Sequence, residues 1–254
     1  MTRTSTQKSR QPGLLTLGPG HLREEAGALG FELTKAQATA LAQYLNLLLK
    51  WSRTMNLVGK PTWPEIFRDL AADSLYLAEF LGGHNPPAGG LNLPERPLCL
   101  DLGAGAGLPG IPLRVLWTAG DYVMVELREK RAIFLRQAVA ELALPGVRVI
   151  HGRAEEVTGE LTRLGLAGAA GDARADLVLS RAFMPWPTLL PLAAELLAPS
   201  GRLIILANEK PPEKPEELPG FRLLDTRAYP WGGRVRYFWL LSPEGDPAPV
   251  SALR

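Results

Sequence analysis

Apolar positions recur with two different periods along this chain, and the change of period divides it. Leu41, Leu45 and Leu48 repeat at helical spacing, and Thr34 followed by Gln37 has the form of a capping box. Together they predict an amphipathic helix over 34–51. A second helix is predicted from Pro64 to Leu81. The proline suits a first turn, Ile66, Phe67, Leu70, Ser74 and Leu77 share a face, and Gly82-Gly83 stops it. Residues 83–97 are rich in glycine and proline without periodicity, which predicts a linker.

Beyond the linker, short apolar runs alternate with amphipathic stretches. Strands are predicted at 97–102, 122–126, 147–151, 175–180 and 202–206, with helices at 110–117, 128–143 and 187–198. Repeated units of this kind imply a parallel, doubly wound α/β sheet with right-handed crossovers. The segments 221–229 and 234–241 break the alternation. They are strand-like and joined by Pro230-Trp-Gly-Gly233, which leaves no room for a helix, so a hairpin makes the sheet mixed. Residues 156–174 and 208–219 read as loops. The predicted organisation is a disordered or partly ordered tail (1–33), a helical region (34–82), the linker (83–97), the main α/β domain (98–242) and a C-terminal tail (243–254).

Composition narrows the class. A chain of 254 residues that is 46% hydrophobic can bury a sizeable core. No apolar run approaches the length of a membrane span, and the first residues, rich in Thr, Ser, Arg and Lys, lack the apolar stretch of a secretory signal. The lone Cys99 excludes a disulfide framework, and His21, His84 and His151 are scattered with no Cys pair, so no zinc site is expected. These features predict a cytoplasmic protein. A net charge of +2 neither demands nor excludes a nucleic-acid partner, because binding needs a local basic patch.

The candidate chemistry lies in Asp101-Leu-Gly-Ala-Gly-Ala-Gly107, directly after the first sheet strand. Glycines there let the backbone turn tightly and approach a ligand, and the helix that follows adds a partial positive charge. One register, Gly105-x-Gly107-x-x-Gly110 with Glu126 about 20 residues on, fits the dinucleotide fingerprint. Three features favour S-adenosyl-L-methionine instead. Asp101 precedes the turn, where a carboxylate suits an amino-acid moiety and repels a pyrophosphate. Glu155, in Arg153-Ala-Glu155 after the third strand, can accept from an exocyclic amine. The terminal hairpin is foreign to the dinucleotide fold. Glu126, at the end of the second strand, is placed for a ribose hydroxyl.

Several segments resemble the RsmG (GidB) family. They are Trp51-Ser-Arg-Thr-Met-Asn-Leu57, Arg68 with Asp73-Ser-Leu75, Asp101 to Pro112, Lys130-Arg131 with Phe134-Leu135, Gly152-Arg-Ala-Glu155 and Ser180-Arg-Ala-Phe183. The resemblance runs from 34 to 241, and Gly-Leu-Pro-Gly-Ile-Pro at 107–112 is far more specific than the glycines alone. It implies a class I S-adenosylmethionine-dependent methyltransferase with an N-terminal helical extension, acting on guanine N7 of 16S ribosomal RNA in the small subunit. It further implies that Gly103 and Leu108 contact the cofactor, Ala154 and Glu155 the adenosine, and that Arg181 borders the methyl-donor pocket. Asp101, Gly105 and Glu126 join this set from the reading of the loop. Three positions depart from the family pattern: Asp69 follows Arg68, Asn208 lies where a lysine-bearing segment is usual, and Tyr237 follows Arg236.

Guanine N7 offers a lone pair and no proton, so positioning rather than a general base is the expected device, and no catalytic acid, base or nucleophile is assigned. Cys99 reads as buried core rather than a nucleophile. Phe183 and Trp186 are candidates to stack on an unstacked base or to pack between helix and sheet. Arg181 has three candidate partners: a cofactor carboxylate, guanine O6 or a phosphate. Arg3, Lys8, Arg10, Lys50, Arg53, Lys60 and Arg68 form one candidate RNA-facing set, and Lys210, Lys214, Arg234 and Arg236 a second rim. Two other readings stay open: a methyltransferase of the same fold acting on a small molecule or protein, and a non-catalytic ribosome-binding relative. A monomer is expected, since no long apolar surface stripe is left over.

Overall fold

The computed structural model describes residues 17–59, 62–83, 87 and 90–245. Arg3, Lys8, Arg10, Lys60, His84 and the tail beyond 245 lie outside them. α1 (Pro19–Ala28) falls in the stretch expected to be tail. Its two buried positions, Leu22 and Ala26, lie four apart, too few to announce a helix by periodicity. The Asn46 side chain fixes its entry, accepting from the Leu17 amide at 3.2 Å and donating to the Leu17 carbonyl at 2.9 Å.

α2 (Lys35–Met55) starts at the predicted capping box. Thr34 Oγ1 accepts from the Gln37 amide at 3.2 Å, and Gln37 Oε1 accepts from the Thr34 amide at 3.0 Å. The helix runs past the predicted Trp51 and ends at Asn56, which is left-handed. The predicted 64–81 helix is realised as α3 (Trp63–Ile66) and α4 (Ala72–Gly82), joined by a π-helical turn at Phe67–Ala71. Such a turn widens the helix and often marks a functional position. Here it offers the carbonyls of Asp69 and Leu70 to side chains from the sheet.

The remaining elements are β1 (Leu98–Leu102), α5 (Gly110–Leu116), β2 (Asp121–Glu126), α6 (Glu129–Glu141), β3 (Val147–His151), α7 (Val157–Leu164), β4 (Ala175–Arg181), α8 (Trp186–Leu196), β5 (Leu197–Ala207), β6 (Phe221–Trp231) and β7 (Arg234–Pro243). The strand order is β3-β2-β1-β4-β5-β7-β6. The first five are parallel and β7 runs antiparallel between β5 and β6, as the hairpin required. α7 corrects the predicted loop at 156–174. Only Val157 and Leu161 are buried on it, and left-handed Gly165 ends it after eight residues.

Two apolar layers flank the sheet. Leu98, Leu100 and Leu102 of β1 face α7 and α8, whereas Cys99 faces the layer formed by α1 to α6. The helical region therefore packs directly on one sheet face, with the Phe80 ring of α4 5.5 Å from that of Phe238 in β7. Strand order reverses between β1 and β4, and ligands of open α/β sheets bind in the crevice at such a reversal, at the carboxyl ends of the strands. Among the described residues no helix is long and apolar enough to cross a membrane.

Candidate active site

The first wall of the crevice is the loop from β1 to α5. Gly103, Gly105 and Gly107 have φ of +66°, +61° and +81°, a region costly for other residues. A Cβ on Gly103 would also lie 2.5 Å from the Phe183 ring. The loop is held from several sides. The Gly105 amide donates to Glu126 Oε2 at 2.8 Å, and the Ala104 amide donates to the Val125 carbonyl at 3.0 Å. From the helical layer, the Tyr44 hydroxyl donates to the Ala106 carbonyl at 2.7 Å and the Ser74 hydroxyl to the Pro109 carbonyl at 2.9 Å, both buried. Leu108 is half-buried against the same layer.

Glu126 accepts from the Arg128 amide on its other oxygen, also at 2.8 Å. Each carboxylate oxygen keeps a lone pair beyond these bonds. The chain after β3 is tied to the end of β2, since the Gly152 amide donates to the Glu126 carbonyl at 3.2 Å and His151 Nε2 lies 3.1 Å from the Leu127 carbonyl. Buried Ala154 and exposed Glu155 follow in a 3₁₀ turn. Leu127 is 57% exposed, an apolar side chain on an otherwise polar rim. Asp101 lies beneath the loop rather than in the open crevice. It is buried, accepts from the Tyr122 hydroxyl at 3.1 Å, and is roofed by Gly110, where a Cβ would collide with its carboxyl. Burial pushes the Asp101 carboxyl up to about 7 against the pull of that hydrogen bond and of Arg181.

The second wall follows β4. Arg181 donates to the Leu70 carbonyl at 2.8 Å and pairs with Asp73 at 3.0 Å, while Arg236 of β7 reaches the same Asp73 oxygen at 2.7 Å. Asp73 is 1% exposed, and burial raises its carboxyl above the ordinary range, opposed by the two guanidinium groups. These residues border a cavity of about 290 Å³ whose lining includes Ser180, Met184, Trp186 and Asn208. Trp186 thus faces the cavity while packing edge-on to Trp239 at 5.8 Å. Phe183 lies on Gly103 and links the two walls.

The three departures from the family pattern meet here. The Asp69 carbonyl accepts from Trp231 Nε1 at 2.6 Å, and Asn208 Oδ1 accepts from Arg236 Nε at 2.9 Å. Tyr237, next to Arg236, pairs with Ala207 of β5 and Ala228 of β6. The Arg236 guanidinium stacks on Trp231 at 3.6 Å, so it shapes the cavity rather than forming a free cationic rim. Arg68 is likewise committed, holding Glu25 through two bonds at 2.6 and 2.8 Å.

Sequence reading had not singled out Asp73, Tyr44, Ser74 or Leu127 as parts of the site. Asp73 and Ser74 did carry a signal, because both fall in a segment that resembles the family, and Ser74 lies on the predicted apolar face, where a polar group demands a buried partner.

A sheet of this order, five parallel strands joined by an antiparallel β7, with a glycine loop after β1, is that of the class I methyltransferase fold. Crystal structures of MtNAS share the fold at low identity. One in complex with MTA and tNA is 15% identical with a TM-score of 0.52, covering 87% of this chain and 80% of that one. Another, of a point mutant in complex with S-adenosylmethionine, is 17% identical with a TM-score of 0.50, covering 89% and 77%. The family model for GidB, rRNA small subunit methyltransferase G, matches residues 37–219. Ribosomal RNA small subunit methyltransferase G of Nitratidesulfovibrio vulgaris (strain DP4) is 47% identical over 214 residues, 84% of this chain and 89% of the relative. That of Lawsonia intracellularis (strain PHE/MN1-00) is 41% identical over 217 residues, 85% and 92%. The chain belongs to the GidB family.

Proposed function

We propose that the protein transfers a methyl group from S-adenosyl-L-methionine to N7 of a guanine in 16S rRNA of the small ribosomal subunit. The carrying observation is the meeting of two unlike walls at the β1/β4 reversal: a glycine-rich loop backed by Glu126, and a cavity of about 290 Å³ bordered by Arg181 and Arg236, which Asp73 holds in place. The residues present fit the cofactor. Gly103 and Leu108 lie on the loop that would follow the cofactor, Glu126 has lone pairs left for ribose hydroxyls, and Ala154, Glu155 and Leu127 lie at the strand ends where the adenosine would sit. Once bound, the cofactor supplies an activated methyl on a sulfonium.

The protein's task is then alignment, a contribution of roughly 7–11 kcal/mol to barrier lowering when geometry is right. Arg181 and Arg236 present donors to an acceptor-rich edge, and guanine N7 and O6 are such an edge. Among the described residues no histidine or cysteine lines the cavity, and its carboxylates are Asp73, which holds two guanidinium groups, and Glu209. Guanine N7 has no proton to lose, so neither carboxylate is required as a base. Cys99 lies buried within β1, and burial raises its thiol far above the ordinary range, which argues against pyrimidine C5 chemistry through a thiolate. The reading includes a monomer working in the cytoplasm.

Tritiated methyl transfer to small subunits, free 16S RNA and protein fractions, followed by nucleoside analysis, tests it. Label in 7-methylguanosine is expected, and Gly103→Asp should abolish it. Label in protein, or in another nucleoside, would overturn the assignment.

A further inference from the structure

A separate cleft lies between the end of α2 and the start of α6, beside the glycine loop. We propose that it is a docking site for backbone phosphates of the RNA substrate, an inference that rests on the rRNA methyltransferase reading. The cleft measures about 740 Å³ and is lined by Arg53, Arg128, Lys130 and Arg131 against a single acid, Glu129. None of the four cations forms an ion pair among the described residues. Elsewhere Arg68, Arg163 and Arg174 each hold a carboxylate at 2.6 Å. Four like charges left together around one cleft repel each other unless an anion lies among them.

Two further features point the same way. α6 spans thirteen residues and begins in the cleft, adding the partial positive charge of a helix N-terminus. The Ser52 hydroxyl, on the opposite wall, is buried without a hydrogen-bond partner. Met55 is the sole apolar side chain in the lining. A protein partner is anchored by apolar and aromatic contacts, whereas sugar–phosphate is held by Arg, Lys, hydroxyls and helix N-termini. Charge and lining therefore favour an RNA strand. Location completes the argument, because Arg131 Nη1 is 3.9 Å from the position of a Cβ on Gly105. A strand held here runs along the loop beside which its target base must be presented.

The test compares the full-length wild type with Arg53→Gln/Lys130→Gln, two cations chosen away from the glycine loop. RNA affinity is measured with a small-subunit rRNA fragment across a salt series, and cofactor affinity with S-adenosylhomocysteine by calorimetry. Each phosphate contact on single-stranded RNA contributes about 0.7 to the slope of log K against log salt, so the slope should fall by about 1.4. RNA affinity should drop roughly tenfold or more at about 100 mM salt, with S-adenosylhomocysteine affinity and melting temperature unchanged. An unchanged RNA slope overturns the proposal. So does a matching loss of S-adenosylhomocysteine affinity, which would give the cleft to the cofactor. If the wild type neither binds nor methylates the RNA, the proposed function itself falls, and this inference with it.

Discussion

Burial pushes the Asp101 carboxyl up to about 7, and the Tyr122 hydroxyl at 3.1 Å only partly offsets the loss of water. A carboxyl with a folded pKa above its unfolded value of about 3.9 retains its proton on folding. Between about pH 4 and 7 the folded state then binds more protons than the unfolded, so this group makes stability fall as pH rises. Asp101→Asn keeps the shape and the acceptor for Tyr122 but cannot titrate. In urea unfolding across that range, the variant's advantage should grow with pH by on the order of a few kcal/mol and level off above pH 7. A constant difference would show that Asp101 is ionised in the fold. The same residue marks how far single residues could be read from sequence. That a carboxyl ends β1 was legible; that alternation turns it beneath Gly110 was not, because the roof is built by a loop whose path the sequence does not state. Gly103 was legible because a left-handed turn after a strand has few alternatives to glycine. Glu126 was legible as a strand-end acid, but its bond to the Gly105 amide needed the loop in three dimensions.

At the scale of elements, the glycine loop depends on helices that contribute no residue to its motif. Tyr44 on α2 and Ser74 on α4 each close a buried bond to a loop carbonyl, at 2.7 and 2.9 Å. Removing either hydroxyl strands a buried acceptor, at a cost of about 1–3 kcal/mol. Tyr44→Phe/Ser74→Ala should therefore lower the melting temperature by several degrees and, by loosening the loop, weaken S-adenosylhomocysteine binding about tenfold, equivalent to about 1.4 kcal/mol. Calorimetry separates the two effects. A lower melting temperature with unaltered affinity would assign these bonds to the fold alone. The helices themselves were legible where an apolar stripe was long, as in α2. They were not where it was short, as in α1 and α7, each with only two buried side chains. The π-helical turn at 67–71 left no trace in the pattern, since one widened turn shifts the phase of the stripe too little to detect.

For the whole molecule, the helices that precede residue 83 and the sheet that begins at Leu98 share one core. Leu177, Leu179, Ile204, Phe238 and Leu240 of the sheet share one buried cluster with Tyr44, Leu75, Phe80 and Leu81 of the helices. Tyr76 on α4 stacks on Tyr229 of β6 at 5.0 Å, and Asp73 binds Arg181 and Arg236 from β4 and β7. The helical layer thus covers the half of the sheet that α5 and α6 leave open, and it brings Asp73 to the crevice. Uncovering five such side chains costs about 1.5–3 kcal/mol each, a sum comparable to the roughly 5–15 kcal/mol by which a whole domain is stable. A fragment starting at Leu91 contains every strand and the entire glycine motif, and a division at the linker would predict that it folds. The shared cluster predicts the opposite: no cooperative thermal transition, binding of a hydrophobic dye, and no calorimetric signal with S-adenosylhomocysteine. A fragment that melted cooperatively and bound the cofactor would show that the α/β portion is an independent unit and that the helices were added to a finished core.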